Sequence, residues 1–271
     1  MLIFSVIFIM MKKCFLSFSL AFVALTGHAH GFDLKGLQPL APYGVFSTFS
    51  AESLPHGKSG VALGFERSRD PDFYRITGQL AHGITDSLEL DITIPHTLNW
   101  QDSVDGFEDI AIGLKHRFFD EGKYGPSVAY LVSATLGSGS AEFSTRGSIG
   151  LGLIVSKRVG PVKGHLNLFY SRPGSNRFKD DVTFAAGLDF SASHAFTILS
   201  ELYLKKSYSG RVDRLEARFG YRILTAENLF TTVGAGFDFK NRSPEYRLLL
   251  SLTYLFPSGE KKIKRIFEQE E

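Results

Sequence analysis

Residues 245–256 read EYRLLLSLTYLF and alternate between two kinds of side chain with a period of two. One face is apolar with aromatic ends and carries Tyr246, Leu248, Leu250, Leu252, Tyr254 and Phe256; the other carries Arg247, Leu249, Ser251, Thr253 and Leu255. A β-strand sends successive side chains to opposite sides, so the segment has one apolar surface and one surface that carries a charge. This pattern is typical of a transmembrane barrel strand, while a soluble sandwich strand is the alternative for one segment alone.

The same alternation recurs along the chain from residue 57 onward. We count twelve runs of about ten residues, separated by turn residues, as membrane-spanning strands require. Apolar positions such as Val61, Leu63 and Phe65 alternate with charged, hydroxylated or glycine positions. The sequence therefore predicts an all-β fold, a transmembrane antiparallel β-barrel of about twelve strands over residues 57–256.

Composition limits the class of protein. The chain has 271 residues, of which 44% are hydrophobic, with 27 glycines and 25 phenylalanines. This hydrophobic fraction is too low for a helical membrane protein. A barrel needs fewer apolar residues, because only every second side chain of a strand faces the lipid. The formal net charge is only +2, so we expect no nucleic acid partner.

The N-terminal residues 1–30 have the features of a signal peptide. Lys12 and Lys13 precede a short apolar run, and small residues follow it near Ala29. Met10 and Met11 are alternative starts. The single cysteine, Cys14, lies within this segment, so the exported protein would have neither a disulfide nor a cysteine nucleophile.

Two further segments flank the predicted barrel. Residues 31–56 have no regular period and contain three prolines, so we expect either a periplasmic lead-in or a small plug folded into the lumen. Residues 257–271 form a charged tail that we expect in the periplasm. The Tyr-Leu-Phe that ends the last strand resembles the signal that the barrel-assembly machinery recognises, although such signals usually end the chain.

Charged residues on the inward positions are the candidate lumen lining. They are Glu89, Asp91, Lys115, Arg117, Asp189, Glu201, Arg214, Glu216, Arg218, Arg222, Asp238 and Arg247. Three of them, Arg214, Arg218 and Arg222, form a ladder that could select anionic or aromatic acid solutes. Alternatively, the ladder forms ion pairs with Glu201 and Asp238, which we favour because unpaired buried charge is costly.

No constellation of catalytic residues is evident, so we predict no enzyme activity. His96, His116, His165 and His194 fall on different strands or turns, without a serine in a hydrolase motif beside them. The glycines lack phosphate-loop spacing, and no cofactor or metal-ligand spacing is present.

Residues 107–139, FEDIAIGLKHRFFDEGKYGPSVAYLVSATLGSG, resemble the outer-membrane transporter family associated with the MetA pathway of phenol degradation. The shared pattern is G-F-x-D-x-x-x-G-x-K-x-R-F, a Gly-Pro turn and an apolar strand, although the usual proline near Gly137 is replaced. The resemblance implies an outer-membrane barrel that moves hydrophobic or aromatic compounds.

These observations predict a channel in a Gram-negative outer membrane for passive uptake of small solutes. About twelve strands would leave a narrow, partly occluded lumen. The expected partners are membrane lipid, the barrel-assembly machinery and a small-molecule solute. A structural barrel with a closed lumen is the alternative, and an outer-membrane hydrolase is the least favoured.

Overall fold

A computed structural model describes residues 36–69, 71–100, 103–207, 212–239 and 246–257. The predicted signal peptide and residues 258–271 of the predicted tail lie outside these residues. None of the described residues belongs to a helix that is long and apolar enough to cross a bilayer.

The described residues form thirteen β-strands in antiparallel order. They are β1 (Ser59–Arg69), β2 (Phe73–Gly83), β3 (Leu88–Trp100), β4 (Val104–Phe107), β5 (Ala111–Phe119), β6 (Ser127–Thr135), β7 (Ser148–Val159), β8 (Val162–Pro173), β9 (Asp181–Ser191), β10 (Phe196–Ser207), β11 (Val212–Ala226), β12 (Leu229–Asp238) and β13 (Tyr246–Leu255). Each strand after β5 pairs with the next one, and β13 pairs with β1, which also pairs with β2. Because β2 pairs with β3, which pairs with β5, the sheet closes into a twelve-stranded barrel and confirms the predicted fold class.

The short strand β4 extends the hairpin that begins with β3. β3 continues to Trp100 and pairs with β4 through Thr97 and Gly106. The hairpin is thus longer than the apolar alternation indicates, because its outer part is held by main-chain pairing. Between β4 and β5 the chain leaves the ladder at Glu108 and Asp109.

The outer surface of the barrel is an apolar belt. In β13, Tyr246, Leu248, Leu250, Leu252 and Tyr254 are all exposed, whereas Arg247 and Thr253 between them are buried. On the other strands, exposed or half-buried apolar residues alternate with more deeply buried ones, although Leu215 and Ala217 of β11 are themselves buried. A contiguous exposed apolar band with buried charges behind it is the inverse of a soluble protein and suits a lipid surrounding.

The two ends of the barrel differ. At one end, called the turn end below, the connections are short, for example between Val159 and Val162. The other end, called the loop end, has the longer connections at residues 136–147 and 174–180. Strand β1 starts at the turn end, directly after residues 36–56.

Candidate functional site in the barrel interior

Residues 36–56, called the inner segment below, lie against the inward side chains of the barrel wall. The carboxylate of Glu201 on β10 accepts three hydrogen bonds through Oε2, from the main-chain N–H of Ser47 at 2.7 Å, the main-chain N–H of Thr48 at 2.8 Å and the Thr48 hydroxyl at 2.7 Å. A carboxylate with several such donors makes strong, charge-assisted bonds. Glu201 therefore fixes the middle of the inner segment.

The main chain on the C-terminal side of this anchor is satisfied by other strands. Phe49 donates to Oδ1 of Asn167 at 2.6 Å, while Nδ2 of Asn167 donates back to the Phe49 carbonyl at 2.9 Å. Ala51 donates to the Ser156 hydroxyl at 2.9 Å. These contacts replace the water that a buried, irregular backbone would otherwise need.

Arginines from the wall bind the N-terminal part of the inner segment. Arg222 on β11 donates to the carbonyl of Gly44 at 2.5 Å and more weakly to that of Pro42 at 3.4 Å. Arg218, two inward positions before Arg222 on the same strand, donates to the Ser47 hydroxyl at 2.5 Å. Part of the arginine ladder thus serves the inner segment, which the sequence-based interpretation did not include.

Apolar contacts also hold the inner segment against the barrel wall. Phe49 and Ala51 pack with Ala129, Leu131 and Ile154, which project inward from β6 and β7. A second cluster joins Leu40 and Leu54 to Ala62 and Ala81 on β1 and β2.

Glycine on the wall permits the close approach. A Cβ atom at Gly187 would lie 2.9 Å from Cγ2 of Val45 and 3.2 Å from Cβ of Thr48, and one at Gly234 would lie 2.4 Å from the ring of Phe46. A larger side chain at either position would collide with the inner segment. Gly187 and Gly234 therefore make room for the inner segment.

At the loop end, the inward charges form one network, called the charge cluster below. It links Arg75 to Glu108 at 2.5 Å and to Glu66 at 3.5 Å, Arg247 to Glu66 and to Glu216 at 3.3 Å, and Arg218 to Glu216 at 2.7 Å and Glu201 at 2.9 Å. Arg214 lies 3.9 Å from Glu216. The alternation of sign across neighbouring strands compensates charges that would be costly to bury singly.

At the turn end, a second group of charges surrounds the inner segment. Lys115 lies 2.8 Å from Oε1 of Glu89, whose Oε2 accepts the Leu54 N–H at 2.5 Å. Asp91 is buried beside them on the same strand face. Lys163 forms an ion pair at 2.5 Å with Glu52 of the inner segment.

His165 lies between a serine and a carboxylate in this group. Its Nδ1 is 2.8 Å from the Ser156 hydroxyl, and its Nε2 is 3.4 Å from Oδ2 of Asp189. All three side chains are buried, and the Ser156 oxygen accepts the Ala51 N–H described above. The arrangement therefore serves to hold the inner segment in place and presents no accessible nucleophile.

The candidate lumen residues divide by position. Eleven of the twelve are buried, namely Glu89, Asp91, Lys115, Asp189, Glu201, Arg214, Glu216, Arg218, Arg222, Asp238 and Arg247. Arg117 differs, because it sits near the turn end and pairs with Asp120 at 2.8 Å, with 20% of its side chain exposed. Glu201 pairs with Arg218 as expected, while Asp238 lies opposite Glu216 in the ladder register.

Several residues of the site were missing from the sequence-based candidates. Glu66 and Arg75 occupy inward positions of the alternating pattern and could have been included. Glu108 lies outside a strand and therefore gives no periodic signal. Asn167 and Ser156 are common polar residues on inward positions. Only their contacts with the inner segment distinguish them.

A small cavity of about 70 Å³ remains beside the inner segment. It lies between Gln38 and Phe46 on one side and the inward faces of β1, β2, β12 and β13 on the other, including Glu66, Thr232 and Thr253. This cavity has the size of a few water molecules. Within the described residues, no cluster of histidine, cysteine or carboxylate side chains could hold a metal ion.

Comparison with solved structures places this fold among bacterial outer-membrane porins. The KdgM porin in complex with disordered oligogalacturonate aligns with a TM-score of 0.57 at 13% identity, over 73% of this chain and 99% of that chain. An outer-membrane channel of Pseudomonas putida F1 aligns with a TM-score of 0.57 at 15% identity, over 76% of this chain and 98% of that one. The NanC porin aligns with a TM-score of 0.56 at 6% identity, over 72% and 98%. The fold is therefore the closed twelve-stranded antiparallel barrel of these outer-membrane porins.

The family described as the putative MetA pathway of phenol degradation matches residues 60–256. The chain belongs to this family, as the resemblance of residues 107–139 indicated. A comparison with curated proteins found no match.

Proposed function

We propose that this protein is a channel for the passive passage of small solutes across the outer membrane, and that the inner segment is its plug. The observation that supports this proposal is that polar side chains of the barrel wall face the plug. Glu201, Asn167, Ser156 and Glu89 bind the plug through polar groups, so they would be hydrated rather than left unpaired when it moves. A barrel built to stay closed gains nothing from such a wall, because apolar packing seals a core at lower cost.

The barrel orientation follows from its two ends. Outer-membrane barrels have short periplasmic turns and longer extracellular loops, so the loop end faces outward and the plug enters from the periplasm. The tail after Phe256 is then periplasmic, the apolar belt contacts lipid, and the last strand is presented to the barrel-assembly machinery.

The family and the wall charges support a proposal for the class of solute. The family points to hydrophobic or aromatic compounds. The oligogalacturonate found with KdgM is a polyanion, but the inward arginines Arg75, Arg218 and Arg247 here already contact carboxylates. We therefore propose small, largely uncharged solutes for this chain rather than acidic oligosaccharides.

A structural barrel with a closed lumen is the second candidate, which the close packing of the inner segment against the wall favours. The two are separated by reconstituting the mature protein in liposomes and measuring the rate of swelling in small neutral solutes of increasing size. We expect swelling for the smallest solutes and none for disaccharides, with protein-free liposomes as the control. If protein that shows the heat-induced gel shift of a folded barrel gives no swelling with any solute, the channel proposal is contradicted and the closed barrel is favoured.

A further inference from the structure

An aromatic cluster lies at the loop end, beyond the charge cluster. The connection at residues 136–147 turns into the barrel mouth and buries Phe143, which is only 1% exposed, against Phe73 and Trp100. The rings of Phe73 and Trp100 have their centroids 5.4 Å apart. Phe143 thus fills a site whose walls come from the strands β2 and β3 and, through Val104, from β4.

Two guanidinium groups cover the inner side of this site. The Arg75 guanidinium lies 4.9 Å from the centroid of the Phe73 ring, and that of Arg247 lies 5.5 Å from it. Cations at such distances attract the face of an aromatic ring. The site is therefore built from aromatic surfaces and from flat cations, both of which favour a planar aromatic occupant.

The occupant is held in place by polar contacts at the base of its connection. Asp109 accepts hydrogen bonds from the N–H of Gly139 at 2.9 Å, the Ser144 hydroxyl at 2.9 Å, and the N–H and hydroxyl of Thr145 at 2.7 Å and 2.5 Å. All these donors lie in the connection that carries Phe143. Asp109 thus joins both arms of the connection, and the Ser140 N–H and hydroxyl also tie the connection to the Phe107 carbonyl. None of these contacts is part of the barrel ladder.

We propose that the Phe143 site is a binding site for the neutral aromatic ring of a solute that enters at the loop end, with Phe143 as its built-in occupant. The solute ring takes the place of Phe143 between Phe73 and Trp100 and then meets the charge cluster. This inference rests on the proposed channel function, because it names the class of solute admitted at the mouth.

The charges around the site select the neutral form of the ring. Arg75 is paired with Glu108 and Glu66, and Arg247 with Glu66 and Glu216. A carboxylate on the solute would have to displace one of these partners, and the displaced glutamate would stay buried near it. The site therefore discriminates against aromatic acids, in contrast to the anion-selective strip considered from the sequence.

Trp100 makes the site directly observable, because it is the only tryptophan in the chain. The full mature protein in detergent micelles is titrated with benzyl alcohol, cyclohexylmethanol or benzoate while Trp100 emission is recorded. Phe143→Ala empties the site, and Glu142→Ala, at the exposed neighbouring position, is the matched control. Asp109→Asn replaces one of the two accepting carboxylate oxygens with an amide nitrogen. It is the second variant if Phe143→Ala does not fold into a heat-modifiable barrel.

We expect Phe143→Ala to bind benzyl alcohol saturably and at least about tenfold more tightly than wild type, since the competing ring has gone. Cyclohexylmethanol and benzoate should bind it at least about fivefold more weakly than benzyl alcohol, and Glu142→Ala should match wild type. The proposal would be overturned if Phe143→Ala bound all three probes equally well. It would also be overturned if neither Phe143→Ala nor Asp109→Asn bound benzyl alcohol more tightly than wild type. The titration measures binding and not transport, so the two proposals can fail separately. Saturable binding of benzyl alcohol without any liposome swelling would reject the channel function but support the binding site.

Discussion

Thr48 and Glu201 are 153 residues apart in sequence, yet both the main-chain N–H and the hydroxyl of Thr48 donate to one oxygen of Glu201, at 2.8 and 2.7 Å. The same carboxylate also pairs with Arg218 at 2.9 Å. Glu201 thus connects the inner segment to the charge cluster. Under the proposed plug function, the strength of this contact governs how often the segment leaves the lumen.

Glu201→Gln should raise the population of the displaced plug. The substitution keeps the shape but replaces charge-assisted bonds with neutral ones, a loss of about 1–2 kcal/mol, or roughly tenfold in the population. The measurement is the open probability of single channels in planar bilayers. Ser200→Ala, at the adjacent outward position, is the control and should behave as wild type; the same open probability in both variants would argue against Glu201 as the anchor.

A disulfide between Thr48→Cys and Gly187→Cys should lock the plug. A Cβ atom at Gly187 would lie 3.2 Å from Cβ of Thr48, closer than the roughly 3.8 Å typical of disulfides, and 2.9 Å from Cγ2 of Val45. The inner segment therefore has to move slightly away from the wall to admit the bridge. The oxidised protein should show a steady, low conductance that rises when a reductant is added. Each single-cysteine variant serves as the control, and conductance that ignores reduction of a verified disulfide would show that the plug does not move.

Glu216→Gln should destabilise the barrel rather than open it. Glu216 accepts from Arg218 at 2.7 Å and lies 3.3 Å from Arg247, so its loss leaves buried arginines undercompensated, which costs roughly 3–5 kcal/mol. The free energy of unfolding in urea, measured in lipid vesicles, tests this. Glu227→Gln, in an exposed turn of the same hairpin, should change it little. An unaltered stability for Glu216→Gln would mean that the cluster adds nothing to the fold.

Leu168→Arg tests the lipid-facing surface. Leu168 is half exposed in the middle of β8, so an arginine there would face hydrocarbon and cost roughly 2–4 kcal/mol. We expect reduced insertion into vesicles, measured as the heat-modifiable fraction, while Leu168→Met inserts normally. Equal insertion of the two variants would place Leu168 outside the bilayer.

The barrel was predictable from sequence because each strand carries its own periodic signal. Tyr246 to Tyr254 alternate with Arg247 to Thr253, and a shift by one residue would bury the lipid face, so the pattern specifies both strand and register. The position of the plug could not be derived in this way. Its contacts join Thr48 to Glu201 and Phe49 to Asn167, which are distant in sequence, and an irregular segment has no period that would indicate its partners.

Glu108 and Asp109 illustrate the same limit at the barrel mouth. The sequence indicates only two adjacent carboxylates, which could be read as a catalytic pair. The structure separates them, since Glu108 binds Arg75 and Asp109 binds the connection that carries Phe143. This division depends on the break between β4 and β5, for which the hydrophobic pattern gives no sign.

The plug itself is tested most directly by deleting residues 36–53 from the mature protein and measuring single-channel conductance. Removing the segment should leave a hydrated lumen lined by Glu201, Asn167, Arg222 and Glu89, and the conductance should rise several-fold over wild type. The strands from Ser59 onward remain intact, so the heat-induced gel shift should persist. A correctly folded deletion variant that conducts no better than wild type would contradict the account, because the inner segment would then not be what closes the lumen.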